Sequence, residues 1–299
     1  MSVPMRPGDL PRLRRQVLAQ LDNPSAPIRA ETGDGNREAL DILASHLRVA
    51  DLYWVAPEMA ALSVHAGGEL AAATWTVADR PSGCGLLWWG GGVHHLGFGN
   101  GVHAPVDAVS WGPSENGTLI WVFIDRARVE EAVQDLGGEL VRAEVPPLVP
   151  MLGNVVPIAV EPLPVAELAG MQAEGRRIPS SVLMTLAAAW ALMQQPTLVD
   201  RTKESAGKTE ARSAARAGLP APEYSRVDLR RQWVPQDQDP AQDDEGRRYR
   251  HRWVVSGHWR QQPYGPDRLL RRQQWIPSHV KGPDGAPLLS TEKVNVWRR

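Results

Sequence analysis

Cysteine is almost missing from this chain: Cys84 is the sole one in 299 residues. No intrachain disulfide is possible, and no zinc site can be built on thiolates. Long apolar runs are also missing. The longest candidate, residues 182–193, falls short of the ~20 residues a helix needs to cross a bilayer and reads as a buried helix. The first residues, Met1-Ser-Val-Pro-Met-Arg-Pro-Gly8, lack the apolar core of a secretory signal. Together these features point to a cytoplasmic protein with no membrane partner. The usual chemical signatures are missing too. Gly97-Phe-Gly-Asn-Gly101 has neither the strand–GxGxxG–helix setting of a dinucleotide site nor the lysine of a P-loop. No GxSxG, HExxH or kinase signature occurs, and no repeat at solenoid spacing. No cofactor is expected.

Hydrophobic residues make up 42% of the chain, enough for a folded core. The length suits roughly two domains of about 150 residues. A net charge of −1 conceals a segregation. Residues 247–299 hold twelve Lys/Arg against three acids, a surplus of +9, so residues 1–246 carry about −10. Segregated charge of this kind predicts a local electrostatic site rather than a wholly basic protein.

Residues 9–22 predict an amphipathic helix with Leu10, Leu13, Val17, Leu18 and Leu21 as its apolar stripe. A second helix is expected over 36–49 and a third over 56–72. The pattern then shifts to strands at 85–89, 106–111 and 118–124. Ser114-Glu-Asn-Gly117 between the last two is a hairpin signal, because Asn-Gly tolerates positive φ. Residues 126–136 predict a helix ending at Gly137-Gly138. Further strands are expected at 141–145, 155–160 and 227–233. Ser180-Ser181 should cap a helix running to about residue 195, and 200–217 reads as a polar, solvated helix. The Gly-rich stretch 90–103 reads as a flexible surface loop. Its three histidines, His94, His95 and His103, are spaced so as to allow a metal, but no metal site is assigned.

The fold class that follows is α+β. Residues 1–175 form an N-terminal domain of helices with a mostly antiparallel sheet. Residues 176–299 form a helix plus a small basic antiparallel sheet, backed by the 181–195 helix. Residues 234–246, Val-Pro-Gln-Asp-Gln-Asp-Pro-Ala-Gln-Asp-Asp-Glu-Gly, are an acidic linker between them and the basic strands.

Those strands hold the main functional signal. Trp253, Trp259, Trp275 and Trp297 are interleaved with the cations. Cationic surface with flat aromatic groups suits a partner that bears both phosphates and bases. With 249–260 as a strand, Arg250, Arg252, His258 and Arg260 share one face, and His251, Trp253 and Trp259 share the other. Gly257 marks a place for a bulge. Strands at 273–276 and 293–297 complete the expected sheet. Trp253 and Trp275 read equally as core, since each ring buries a large area, and surface arginines often serve solubility alone.

The strings Arg252-Trp-Val-Val-Ser-Gly-His-Trp-Arg-Gln-Gln-Pro-Tyr-Gly-Pro266, Arg271-Arg-Gln-Gln-Trp-Ile276 and Val280-Lys-Gly-Pro283 resemble a recurrent C-terminal module of actinobacterial and actinophage proteins that carry no assigned function. The resemblance spans about 225–299. It implies a cytoplasmic, mobile-element setting and brings no catalytic residue or ligand with it.

Three functions follow as expectations. The first is a non-catalytic nucleic-acid-binding accessory protein of phage or mobile-element type, acting on DNA or RNA. Arg250, Arg252, Arg260, Arg271 and Arg272 would contact phosphates, and Trp259 and Tyr264 would stack on bases. The second is a metal-independent ribonuclease using His258, Arg260, Tyr264 and Lys281 as base, acid and cations. The third is a module that grips an acidic protein partner through the basic sheet or through exposed Trp88 and Trp89.

Overall fold

A computed structural model describes residues 5–30, 34–70, 74–141, 145–159, 161, 163–172, 177–230 and 253–281. It is α+β, with eight helices and a mixed sheet of seven strands among the described residues. The first elements are α1 (Leu10–Leu21), α2 (Pro27–Ala30), α3 (Asp34–Val49), β1 (Asp51–Val55), α4 (Pro57–Gly68), β2 (Thr74–Trp75), β3 (Gly85–Gly99), β4 (Val102–Ser114) and β5 (Gly117–Asp125). There follow α5 (Arg126–Asp135), β6 (Leu148–Val156), β7 (Leu163–Pro164), α6 (Val165–Gly170), α7 (Ser180–Met193), β8 (Val199–Ser205), α8 (Lys208–Arg216) and β9 (Glu223–Leu229).

The sheet runs β6-β5-β4-β3-β1-β9-β8. Its four outer pairings are antiparallel, and β1 lies parallel to both β3 and β9. Alternation along each strand sends side chains to two apolar faces. On one face, the leucines of α1 and α3 cluster with Leu52 and Trp54 of β1, Leu86 and Trp88 of β3, and Phe123 of β5. Trp54 and Trp88 stack there at 5.9 Å and 7°. On the other face, α4 and α7 pack together and against β3, and Trp190 of α7 meets Trp111 at 4.9 Å and Trp75 at 4.8 Å. A bidentate ion pair of Arg15 with Glu210, at 2.9 and 3.0 Å, ties α1 to α8.

Several expectations need correcting. The chain divides at Arg230, not at 175, into units of residues 1–230 and 231–299. The reason is that α7, β8 and β9 bury their apolar residues within the first unit's sheet and helices. The 180–193 helix packs on α4, α6 and β3 and belongs to the first unit. Its N-cap is Pro179, and no side chain caps it. The polar stretch at 200–205 is edge strand β8, and Gly207, at φ +87°, separates it from the short helix α8. A strand edge rich in charge tolerates solvent and resists further pairing. Strand β6 spans 148–156, so the strand expected at 155–160 is displaced, and Val141 lies outside any strand. Residues 142–144 and the acidic stretch 234–246 lie outside the described residues.

The Gly-rich stretch is not a loop. It forms the far half of β3 and the turn into β4. Gly91, Gly92, His94, Gly99, Asn100 and Gly101 take positive φ, which accommodates its register shifts. The His94 ring lies 2.7 Å from Thr185 Oγ1 of α7. Trp88 and Trp89 are both buried, on opposite faces, so neither is a docking surface.

Asp107 of β4 is a buried carboxylate. It accepts a hydrogen bond from the Asp125 N–H at 2.8 Å, and Arg128 Nε stands 3.4 Å away. Burial outweighs these partners and pushes its pKa up to about 6 from 3.8. The folded protein thus binds the proton more tightly than the unfolded chain, and this residue's contribution to stability falls as pH rises from about 4 to about 6. Asp107→Asn keeps an acceptor for the Asp125 N–H and removes the charge. The stability of the variant relative to the native protein should therefore rise between pH 4 and pH 7 by up to about 3 kcal/mol, measured by denaturant unfolding at both pH values. An equal difference at both would show that Asp107 does not titrate in this range.

Candidate nucleic-acid interface

The second unit contains β10 (Trp253–Val255), β11 (His258–Tyr264), β12 (Leu270–Ile276) and β13 (His279–Lys281). These make two ribbons: β10 pairs with β13, and β11 pairs with β12, both antiparallel. Ser256-Gly257 interrupts the strand expected over 249–260, so the alternation predicted through it does not run on. Gly257 is where the break must fall. A Cβ there would lie 2.5 Å from Trp275 Cζ2, so the buried indole occupies the space a side chain would need. The strand expected at 293–297 lies outside the described residues.

The longer ribbon, β11–β12, is pinned from one face. Trp259 stands directly opposite Trp275 in the register, and the two rings meet edge-on at 5.3 Å and 65°. Trp275 is 3% exposed. Aromatic pairs of this geometry add roughly 0.5–1.5 kcal/mol beyond their burial, which a two-stranded ribbon needs, since such hairpins are marginal alone. The turn joining the strands is tight: Gly265, Asp267 and Arg268 take φ of 76°, 52° and 54°. Leu269 and Leu270 are exposed beside it.

The opposite face carries the cations. From the register, His258, Arg260, Gln262 and Tyr264 of β11 share it with Ile276, Gln274, Arg272 and Leu270 of β12. Arg260 and Arg272 are exposed. Arg260 Nη2 donates to Gln262 Oε1, and the Arg272 guanidinium lies 5.5 Å from the centre of the Tyr264 ring, in a cation–π contact. Among the described residues, residues 253–281 contain Arg260, Arg268, Arg271, Arg272 and Lys281 against the single acid Asp267.

The expected residues are thus only partly gathered. Arg260, Arg272 and Tyr264 share a face. Trp259 is turned away from Tyr264 toward Trp275, so the two rings do not form one stacking platform. Arg271 lies on the tryptophan face, and its guanidinium donates to the carbonyls of Arg268 and Leu270. Arg250 and Arg252 lie outside the described residues. The ribonuclease quartet does not converge. His258 and Tyr264 are six positions apart on one strand, about 20 Å in extended chain, and Lys281 belongs to the other ribbon, opposite Trp253. His258 Nδ1 donates to the carbonyl of Ser256 at 3.1 Å. Gln262 and Gln274 carry no signal in the sequence alone; their alternation with arginine across two strands becomes visible only with the register.

No family model and no curated protein matches the chain. Among solved structures it is similar to the crystal structure of AcrVA2, with a TM-score of 0.41, 14% identity, and coverage of 92% of this chain and 86% of that one. Among the described residues no helix is long and apolar enough to cross a membrane.

Replacing Gly257 by alanine should displace the Trp275 ring and cost about 1–3 kcal/mol locally, as overpacking does. Hydrogen-exchange protection of the 258–276 amides should fall, while Gly83→Ala, where a Cβ meets nothing within 4 Å, should leave it unchanged. Equal protection in both variants would show that the indole does not depend on the glycine.

Proposed function

We propose that the C-terminal ribbon binds nucleic acid, and that the chain is a non-catalytic accessory protein of phage or mobile-element type. The observation that carries this reading is the arginine face of β11–β12. Arg260 and Arg272 project from adjacent strands, and no described carboxylate forms an ion pair with either. Unneutralised guanidiniums on a narrow ribbon attract phosphate and release its condensed counterions. Arg272 is held over Tyr264, so less side-chain freedom is lost when it binds. Arg250 and Arg252 are proposed as further phosphate contacts from their place in the sequence. What supports the mobile-element setting is the resemblance of residues 225–299 to the actinobacterial and actinophage module.

The test is the binding of fluorescently labelled single- and double-stranded DNA and RNA by the full chain across a salt series. Affinity should fall steeply with salt. Arg260→Ala combined with Arg272→Ala should weaken binding to every sequence alike and lower the log–log salt slope on duplex by about two, near 0.9 per phosphate contact. No binding to any of the four at low salt would refute the proposal.

A further inference from the structure

Resting on that reading, we infer that the partner of this face is duplex DNA, entered from the major groove, with Gln262 and Gln274 reading adenine edges. The register sets the argument. Arg260 stands directly opposite Gln274, and Gln262 directly opposite Arg272. Each strand therefore contributes one arginine and one glutamine to a four-residue block, with like residues on the diagonal. Opposite Cβ atoms in such a ribbon are about 5 Å apart, so the whole block is only two strands wide.

Groove dimensions select the partner. The major groove of B-form DNA, about 12 Å wide, admits a two-stranded ribbon. The major groove of A-form RNA is too deep and narrow for side chains to read. Single strands are bound mainly by stacking on several open aromatic faces, and here two of the three rings are engaged with each other. Trp275 is buried and Trp259 meets it edge-on, while Tyr264 is exposed beneath Arg272. The two tryptophans hold the ribbon in register and leave a single ring rather than a stacking row.

Side-chain length then divides the labour. With the ribbon lying along the groove, each strand runs beside one phosphate backbone. Arg260 from β11 and Arg272, which crosses from β12 to lie over Tyr264 of β11, are long enough to reach phosphates beyond the glutamines. The shorter, half-buried glutamines stay over the groove floor. A glutamine amide donates to adenine N7 and accepts from N6, a pairing no other base offers in that groove. Gln262 Oε1 already accepts from Arg260, which orients the amide and leaves its second lone pair for adenine N6.

The experiment uses the full chain and two measurements. The first compares one sequence as duplex DNA, duplex RNA and each single strand. The second enriches bound duplexes from a randomised DNA pool, then compares Gln262→Ala and Gln274→Ala on the enriched site and on random duplex. Duplex DNA should bind at least about tenfold more tightly than duplex RNA, and the enriched site should hold adenines at defined positions. Each glutamine variant should lose roughly 5- to 150-fold more on that site than on random duplex, as for a bidentate base contact. Retained, salt-sensitive binding to random duplex also shows that the variants are folded. A pool without enrichment, equal losses on both duplexes, or preference for RNA or single strands would overturn this inference while leaving nucleic-acid binding in place. Loss of all binding would overturn both.

Discussion

Among the described residues, three tryptophan rings occupy space that glycines on a neighbouring strand or at its end leave open. Trp111 fills the place of a Cβ on Gly85, Trp121 on Gly153, and Trp275 on Gly257, each within 2.6 Å of where that atom would sit. The first two pairs are direct cross-strand partners in the seven-stranded sheet. A glycine in a strand costs conformational entropy and packs nothing itself. An indole laid across it recovers the buried area and admits only one register, since a slip by one residue would drive the ring into a side chain. Both units use the device, and in the second it determines where β10 ends and β11 begins.

Register is also what joins the first unit. Strand β1 is the shared neighbour of β3 and β9, and through it the antiparallel set β3–β6 meets the pair β8–β9. It is five residues long and buried from Leu52 onward. Its alternate side chains feed both layers: Trp54 stacks on Trp88 beneath α1 and α3, while Tyr53 stacks on Trp111 beside α7. The histidine-bearing arm of β3 is anchored to the second layer by His94 against Thr185. His94 is thus placed by packing, while His95 and His103 are exposed.

In the ribbon, the two faces differ in character. The tryptophan face supplies burial and an edge-on aromatic contact, and the arginine face presents charge. Neither assignment follows from composition. Arg271 and Arg272 are adjacent in the chain, yet one folds back onto carbonyls and the other caps Tyr264. A break of two residues at Ser256-Gly257 decides which side chains after it share a face.

Much of the fold was legible in the residues. The stripe of Leu10, Leu13, Val17, Leu18 and Leu21 predicted α1, and all five are buried. Ser114-Glu-Asn-Gly117 predicted the β4–β5 turn, where Gly117 takes φ +139°, and Gly137 ends α5 at φ +81°. These are local signals, set by side-chain periodicity and backbone sterics within a few residues. The misreadings share one cause. Strand β1 gives no signal of its own because four apolar residues, Leu52 to Val55, between two helices carry no period, and the exposed, charged residues of β8 show no apolar face that would mark a strand. The ribbon's cations and tryptophans were apparent from the chain, as was the α+β class. Which of them meet was decided by pairing between strands, because hydrogen bonds between distant segments, unlike helix periodicity, are not encoded in the spacing of neighbouring residues.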